Sequence, residues 1–163
     1  MSVRNCGELG SSLQKIVTRL MANDNLVNLL YFEDKDPLNH LPLTAEEKRT
    51  EIYEELIKIV PKIDERKDSK CVIAVYITRG AKLGSNKEFA NITFAIDIVV
   101  PMTQWIIKDT NLRPFAILGQ IQESLEGKVI NGLGKLEGGD FELALLTEEN
   151  SVYRQVYTLT EYV

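Results

Sequence analysis

The sequence predicts an α+β fold, in which two to three helices pack against a mainly antiparallel sheet of four to five strands. Three observations predict it: two helical patterns come before any clear strand, residues 91–100 alternate between apolar and half-polar positions, and a third helical pattern separates two pairs of strands. The chain has 163 residues, which suits one domain and is short for two. We therefore expect a single domain over residues 1–163.

The first helix is predicted over residues 9–22. Its apolar residues recur at spacings of three and four and line one face: Leu9, Leu13, Ile16, Val17, Leu20 and Met21. Residues 23–25 (Asn-Asp-Asn) are poor in a helix interior and are expected to end the helix. The largely apolar run over residues 26–32 is too short to assign by periodicity. It could be a second helical segment or a strand.

A further helix is predicted from Thr44 to residue 60. Thr44 and Glu47 fit the Thr-x-x-Glu capping box, in which each residue bonds the other's backbone N–H. An apolar stripe continues to Val60, and Pro61 cannot continue a helix. We expect this helix to expose an acidic face.

Two strands are predicted in the middle of the chain. Residues 71–79 have strand composition, and residues 91–100 show the alternation of a sheet with one face in the core. The segment between them, about residues 80–88, contains two glycines and is predicted to be a flexible arm. Residues 104–108 could add a short strand.

The third helix is predicted to begin at Arg113-Pro114, because proline suits the first helical position, and to end near Gly127. Four glycines fall within residues 131–139, which are predicted to be a flexible connector. Residues 141–146 and 152–159 then have strand composition, and residues 147–151 fit a hairpin loop between them.

Composition restricts the class of protein. The net charge of −5 argues against a nucleic-acid binder that relies on bulk positive charge. No apolar run approaches the roughly 20 residues that span a bilayer, and the first residues lack the apolar segment of a signal peptide. Cys6 and Cys71 are too few for a disulfide framework, which favours a reducing cytoplasm.

The sequence contains no recognisable catalytic, metal-binding or cofactor motif, so the chain is predicted not to be an enzyme and to take no metal or cofactor. His40 is the single histidine, it lies in a proline-flanked loop, and no nucleophile-elbow pattern accompanies it. Asp34 and Asp36 precede it without the spacing of a calcium or transition-metal site. The glycines over 131–139 follow a helix and precede a strand, whereas a dinucleotide loop requires the opposite order.

The element order and four local features resemble the small neck and tail-completion proteins of tailed bacteriophages, and the tail terminators in particular. The features are residues 25–38 after an amphipathic helix, the strand pair around the 80–88 arm, the helix that begins Arg113-Pro114, and the closing strand over residues 153–157. The resemblance covers most of the chain and includes no catalytic signature.

This resemblance implies a structural protein of the virion, which is assembled in the host cytoplasm. Tail terminators form a sixfold ring that caps the tail tube, stops its growth and joins it to the head connector. The implied partners are other copies of the chain, the tail-tube protein and the neck proteins, with DNA only as passing cargo. An acidic lumen would repel phosphate, which agrees with the net charge.

A ring closes through two different faces of each subunit. The half-polar sheet face and the 80–88 arm could supply one, and the acidic face of the predicted helix at 44–60 could supply another or line the lumen. The predicted subunit-interface residues are Arg79, Lys82, Leu83, Lys87, Phe89, Trp105, Arg154 and Tyr157.

Three alternatives stay open at this point. The chain could be another neck subunit, such as a head-completion adaptor or a stopper. It could be a small intracellular protein-binding domain that uses Trp105 and the aromatic C-terminal strand. The least favoured alternative is an enzyme that uses His40, Asp34 and Asp36.

Overall fold

The computed structural model describes residues 6–59, 70–82, 89–130 and 134–160. Over these residues the fold is α+β, with one sheet of six strands in the order β1-β2-β3-β6-β5-β4. The helices are α1 (Leu9–Met21), α2 (Asp24–Tyr31), α3 (Ala45–Glu47) and α4 (Arg113–Leu125). The strands are β1 (Ile57–Lys58), β2 (Val72–Lys82), β3 (Phe89–Pro101), β4 (Val129–Ile130), β5 (Gly134–Leu146) and β6 (Asn150–Thr160).

The sheet is mainly antiparallel, as predicted, but it has more strands than the predicted four to five. Strands β2, β3, β6 and β5 pair antiparallel along their length, and β4 also pairs antiparallel with the start of β5. Strand β1 pairs parallel with β2. The two additional strands have two residues each. Such short strands show no alternation that a sequence pattern could reveal.

The N-terminal helices agree with the sequence and resolve its ambiguity. Helix α1 covers nearly all of the predicted stretch, and the run over 26–32 lies largely in α2 rather than in a strand. Asn23 caps α2, because its side-chain oxygen accepts a hydrogen bond from the Leu26 N–H. The Asn-Asp-Asn segment therefore ends one helix and starts the next.

The predicted helix over 44–60 is much shorter in the structure. The capping box at Thr44 and Glu47 is present and begins α3, which continues as a π-helical turn over Lys48–Ile52. Glu54 then has a φ of 63°, a left-handed conformation that a helix cannot contain. Ile57 and Lys58 pair with β2 instead, and Pro61 lies outside the described residues. The long acidic helix face was a wrong prediction.

The strands predicted at 71–79 and 91–100 are confirmed as β2 and β3, and both extend further. Residues 80–82 belong to β2 and pair with β3, so this part of the predicted arm is strand. The rest of the arm, residues 83–88, lies outside the described residues. The possible strand at 104–108 is not formed. Instead, 3-10 turns form at Met102–Gln104 and Lys108–Thr110. Ile106 makes one isolated antiparallel bridge, with Leu112.

The C-terminal part contains α4 where it was predicted, with Pro114 in its first turn and Gly127 just after its end at a φ of 66°. The predicted glycine connector is largely strand, because residues 134–139 belong to β5, and 131–133 lie outside the described residues. Gly138 and Gly139 form a bulge that keeps β5 paired with β6. The hairpin loop is also shorter than predicted, since β6 begins at Asn150.

Three helices and one face of the sheet form the core. Helix α1 contacts β2, helix α4 contacts β3 and β5, and α2 packs against α1 and α4. The sheet contributes alternate buried residues from β3, which are Ile92, Phe94, Ile96, Ile98 and Val100. We call this side the helix-covered face and the opposite side the polar face. Among the described residues, no helix has the length and apolar character needed to cross a membrane.

Candidate interaction surface

The C-terminal half of β5 exposes large apolar side chains. Phe141 is 52% exposed, Leu143 49%, Leu145 56% and Leu146 59%. Each is far more open than the core residues of β3 and β6. The register with β6 places Phe141, Leu143 and Leu146 on the helix-covered face and Leu145, opposite Val152, on the polar face. Large exposed apolar side chains gathered on one strand segment favour a contact site for another molecule. We call these four residues the β5 patch.

An aromatic cluster extends this patch onto the helix layer. Phe115 of α4 lies 5.5 Å from Tyr153 and 6.0 Å from Phe141, measured between ring centroids. Trp105 lies 6.3 Å from Tyr153, and its indole N–H donates to the Ser151 hydroxyl. These offset and edge-to-face contacts hold the rings in place while Phe115 and Phe141 stay partly exposed. The patch therefore has a rigid base.

The backbone of β5 is also open along the same stretch. Strand β4 pairs only with Gly134 and Lys135, and the adjoining chain pairs with Leu136. No described strand pairs with the outer side of residues 137–146. An unprotected edge strand offers a row of unused N–H and C=O groups to another strand. We call residues 137–146 the β5 edge.

A charged network occupies the centre of the polar face. Arg154 of β6 donates to both carboxylate oxygens of Asp97 on β3, at 2.8 and 3.1 Å, and the Tyr76 hydroxyl of β2 donates at 2.7 Å. Asp97 is buried. Hydrogen bonding to Asp97 raises the pKa of Arg154 above its usual value. The network joins three strands and keeps the centre of this face polar.

The predicted interface residues near the arm are only partly described. Arg79 is exposed on β2, on the polar face. Lys82 and Phe89 pair through their backbones at the ends of β2 and β3. Leu83 and Lys87 lie outside the described residues. Arg79 and the Lys82 backbone thus lie on the side of the sheet away from the β5 patch.

The other predicted residues have different surroundings. Trp105 is partly buried in the aromatic cluster, and Arg154 is partly exposed within the Asp97 network. Tyr157 is fully buried and stacks on Phe94, because alternate residues of β6 face the helices. Its side chain belongs to the core, which the aromatic character of the closing strand could not reveal.

The residues of the β5 patch and Phe115 were missed in the sequence. Residues 141–146 read Phe-Glu-Leu-Ala-Leu-Leu, a run typical of a strand in a sheet interior. One signal could have found them. Residues 143–146 lack the alternation of apolar and polar residues that a half-exposed strand shows, and they lie in the last hairpin of the chain, where few elements remain to cover both faces of a strand.

The His40 side chain makes two close contacts, one with Phe32 and one with Asp34. The His40 ring stacks on Phe32 with 3.7 Å between centroids, and its Nε2 lies 2.5 Å from the Asp34 carboxylate. Partial burial raises the pKa of Asp34, but hydrogen bonds from the Asp36 N–H and from His40 outweigh it and leave the pKa below its usual value. Within residues 6–59, 70–82, 89–130 and 134–160, no three acidic, histidine or cysteine side chains gather as a metal site.

Residues 23–160 match the protein family described as YomW, so the chain belongs to this family. The matched region includes every strand of the sheet. The family name is of a kind given to phage-derived proteins of Bacillus type, which suggests a phage origin but specifies no function. No curated protein matches the chain.

Proposed function

We propose that this member of the YomW family is a structural subunit of a phage neck or tail, of the tail-terminator type. It assembles into a ring, a hexamer by the resemblance described above, which caps the tail tube and joins it to the head connector. It acts by shape and self-association and carries out no catalysis. Its partners are other copies of itself, the tail-tube protein and the neck proteins, while DNA only passes through.

The β5 patch on an open strand edge is the observation that carries this proposal. A protein that works alone protects such an edge with proline, charged side chains, β-bulges or a covering loop. The β5 edge has three acidic residues and two register irregularities, but its large apolar side chains stay exposed. Here Phe141, Leu143 and Leu145 are about half exposed, and no described strand pairs with the outer side of this stretch. A surface of this kind favours an oligomer over a monomer.

The layered fold supports a ring in particular. A ring needs two different contact surfaces on each subunit, and a sheet with two unlike edges supplies them. The polar face also carries the acidic residues Glu137, Asp140 and Glu142 of β5. Arg79 and Arg154 lie on the same face, so its charge is mixed, and the repulsion of phosphate that a DNA conduit requires is supported by the net charge of −5 of the chain.

Sedimentation velocity of the purified full chain tests the proposal, alone and mixed with the tail-tube protein or the head-connector protein of the same phage. We expect a discrete closed oligomer that binds the tube protein. Binding to the connector alone would favour an adaptor or stopper. A strict monomer in every mixture would contradict the proposal.

The double variant Leu143→Ser/Leu145→Ser tests whether the β5 patch is the contact surface. Because both side chains are already half exposed, we expect the variant to fold while its oligomer dissociates. Leu41→Ser is the matched control, since Leu41 is 86% exposed in the segment between α2 and α3 and not on the sheet. The control should assemble as the wild type does; equal assembly by the double variant would exclude the patch.

A further inference from the structure

The two long strands with open edges carry opposite charge. Strand β2 contains Arg79 and Lys82 and no acidic residue, so its formal charge is +2. Strand β5 contains three acidic residues and Lys135, so its formal charge is −2. Among the described residues, strand β1 pairs with β2 at Ile73 and Ala74, and no described strand pairs with the outer side of residues 75–82. We call residues 75–82 the β2 edge.

The charged side chains on these edges are available for contact. Arg79 is exposed and forms no ion pair with any described residue, and the same holds for Asp140 and Glu142. Glu137 lies 3.5 Å from Lys135, and both side chains are substantially exposed. A surface pair of this kind is weak and is readily exchanged for another partner.

The sheet register places these opposite charges at two ends of one row. Arg79 pairs with Thr93, Thr93 with Thr158, and Thr158 with Glu137, so the four side chains cross the polar face from edge to edge. Asp140 and Glu142 lie on the same face of β5, level with Tyr76 and Ala74. An acidic edge of one copy thus matches a basic edge of another on the same face.

Strand direction makes the two edges compatible as well. Three successive antiparallel pairings separate β2 from β5, so these two strands run in opposite directions. Rotation about an axis along the strands preserves their direction. The β2 edge of one copy would therefore meet the β5 edge of the next in antiparallel pairing, which is the more stable arrangement.

We propose that the β2 edge of each subunit pairs with the β5 edge of a second copy of this chain, with Arg79 facing the acidic residues of β5. This inference rests on the proposed ring and names its subunit contact. The pairing satisfies the backbone groups of both edges and brings the neighbouring subunit beside the β5 patch. Each added copy still presents one free edge of each kind, so addition continues until the ring closes.

Cysteine cross-linking of the full chain tests the pairing directly. In a Cys6→Ser background, Arg79→Cys is combined in turn with Glu137→Cys, Asp140→Cys or Glu142→Cys, and the protein is oxidised with copper–phenanthroline. Directly opposed residues of paired strands have Cβ atoms about 5 Å apart, close enough for a disulfide after slight adjustment. We expect one combination to give a ladder of covalent multimers that ends at the ring size.

Two controls identify a specific contact. Each single cysteine variant should give no more than a dimer. Arg79→Cys combined with Glu123→Cys should give no ladder, since Glu123 is exposed on α4 in the helix layer. A ladder from the Glu123 combination that matches the β5 combinations would contradict the pairing.

Charge reversal gives an independent readout. Arg79→Glu places a negative charge against the acidic edge, and we expect the concentration for half-assembly to rise about tenfold at low salt. A second substitution, to lysine, of the acidic β5 residue that gave the cross-link should restore assembly, because the two opposite charges are then swapped between the strands. An unchanged thermal melting curve of the monomer shows that each variant is folded.

The outcomes separate this inference from the proposed function. Rings that form without any cross-link and tolerate Arg79→Glu would overturn the edge pairing and leave the ring standing. A chain that stays monomeric with and without the tube protein would overturn both.

Discussion

Arg113 shows how much one side chain holds together in this fold. It is fully buried, and its guanidinium donates to four backbone carbonyls, those of Leu29, Phe32, Asp34 and Gln104, at 2.6 to 3.0 Å. These bonds tie the end of α2 and the following loop to the start of α4. Burial lowers the pKa of Arg113, but the pKa of arginine is high enough for the charge to persist.

Arg113→Met is expected to destabilise the fold by about 3–5 kcal/mol, because it leaves buried carbonyls without a donor. Arg113→Lys should recover only part of this loss, since an ammonium cannot reach four acceptors spread around a planar fork. Urea denaturation of the monomer measures both changes. Arg49→Lys is the control, because Arg49 is exposed, and a loss for Arg113→Met no larger than in this control would contradict the role.

Two tyrosines on opposite faces of the sheet should respond differently to loss of the hydroxyl. The Tyr157 hydroxyl is buried and has no hydrogen-bond partner among the residues that the structure describes, so Tyr157→Phe should leave stability unchanged or raise it by up to about 1 kcal/mol. The Tyr76 hydroxyl donates to Asp97, so Tyr76→Phe should cost about 1 kcal/mol. Urea midpoints of the two variants decide this, and a larger loss for Tyr157→Phe would be contrary to the structure.

Alkaline pH should destabilise the protein through Cys71. Burial raises the pKa of Cys71 from 9.0 to about 12. Above pH 9 the unfolded chain therefore loses a proton that the folded chain keeps, and stability falls by up to about 1.4 kcal/mol per pH unit from this group. Burial also raises the pKa of Tyr157, which adds a loss above about pH 10.

Urea unfolding between pH 8 and pH 11 measures this dependence. Cys71→Ala should have a shallower loss of stability from pH 9 upward than the wild type, although its stability at pH 8 is lower. Parallel pH profiles for the two proteins would show that Cys71 does not titrate in the way its burial requires.

At the scale of elements, two glycines on adjoining elements should behave oppositely when replaced by alanine. Gly138 has a φ of 138°, and an added Cβ would lie 2.4 Å from the Val156 carbonyl oxygen. Gly119 lies within α4 with open space around it. We expect Gly138→Ala to cost at least about 2 kcal/mol and Gly119→Ala to add about 0.5–1 kcal/mol. Thermal denaturation compares them, and equal melting temperatures would refute the bulge geometry.

Elements with a strong local signal could be predicted from the sequence. The spacing of Leu13, Ile16 and Leu20 identified α1, the alternation over 91–100 identified β3, and Pro114 identified the start of α4. The start of the helix predicted at 44–60 was right, because the capping box is a local interaction. Its predicted end was wrong, because Ile57 and Lys58 pair with β2, which is distant in sequence. The glycines at 138 and 139 indicated a loop for a similar reason, since the bulge is fixed by β6.

At the scale of the whole molecule, the candidate surface was the least predictable feature. A sequence pattern does not state which strand lies at the edge of a sheet, because edge position follows from the order β3-β6-β5. Leu143 and Leu145 therefore resembled core residues, and Tyr157 resembled a surface residue. The sequence placed Arg79 on a strand near a turn. That Arg79 lies level with Glu137 of β5, on the same face but at the opposite edge of the sheet, follows only from the register of the four paired strands.

The central claim is that this chain functions by assembling into a ring at the end of a tail tube, and tube growth in vitro tests it most directly. Purified tail-tube protein of the same phage is allowed to polymerise with increasing amounts of the full chain, and tube lengths are measured by electron microscopy. The account predicts shorter tubes that each end in a ring, and loss of this effect in Leu143→Ser/Leu145→Ser. Tube lengths that do not change at any ratio, with no density at the tube ends, would contradict it.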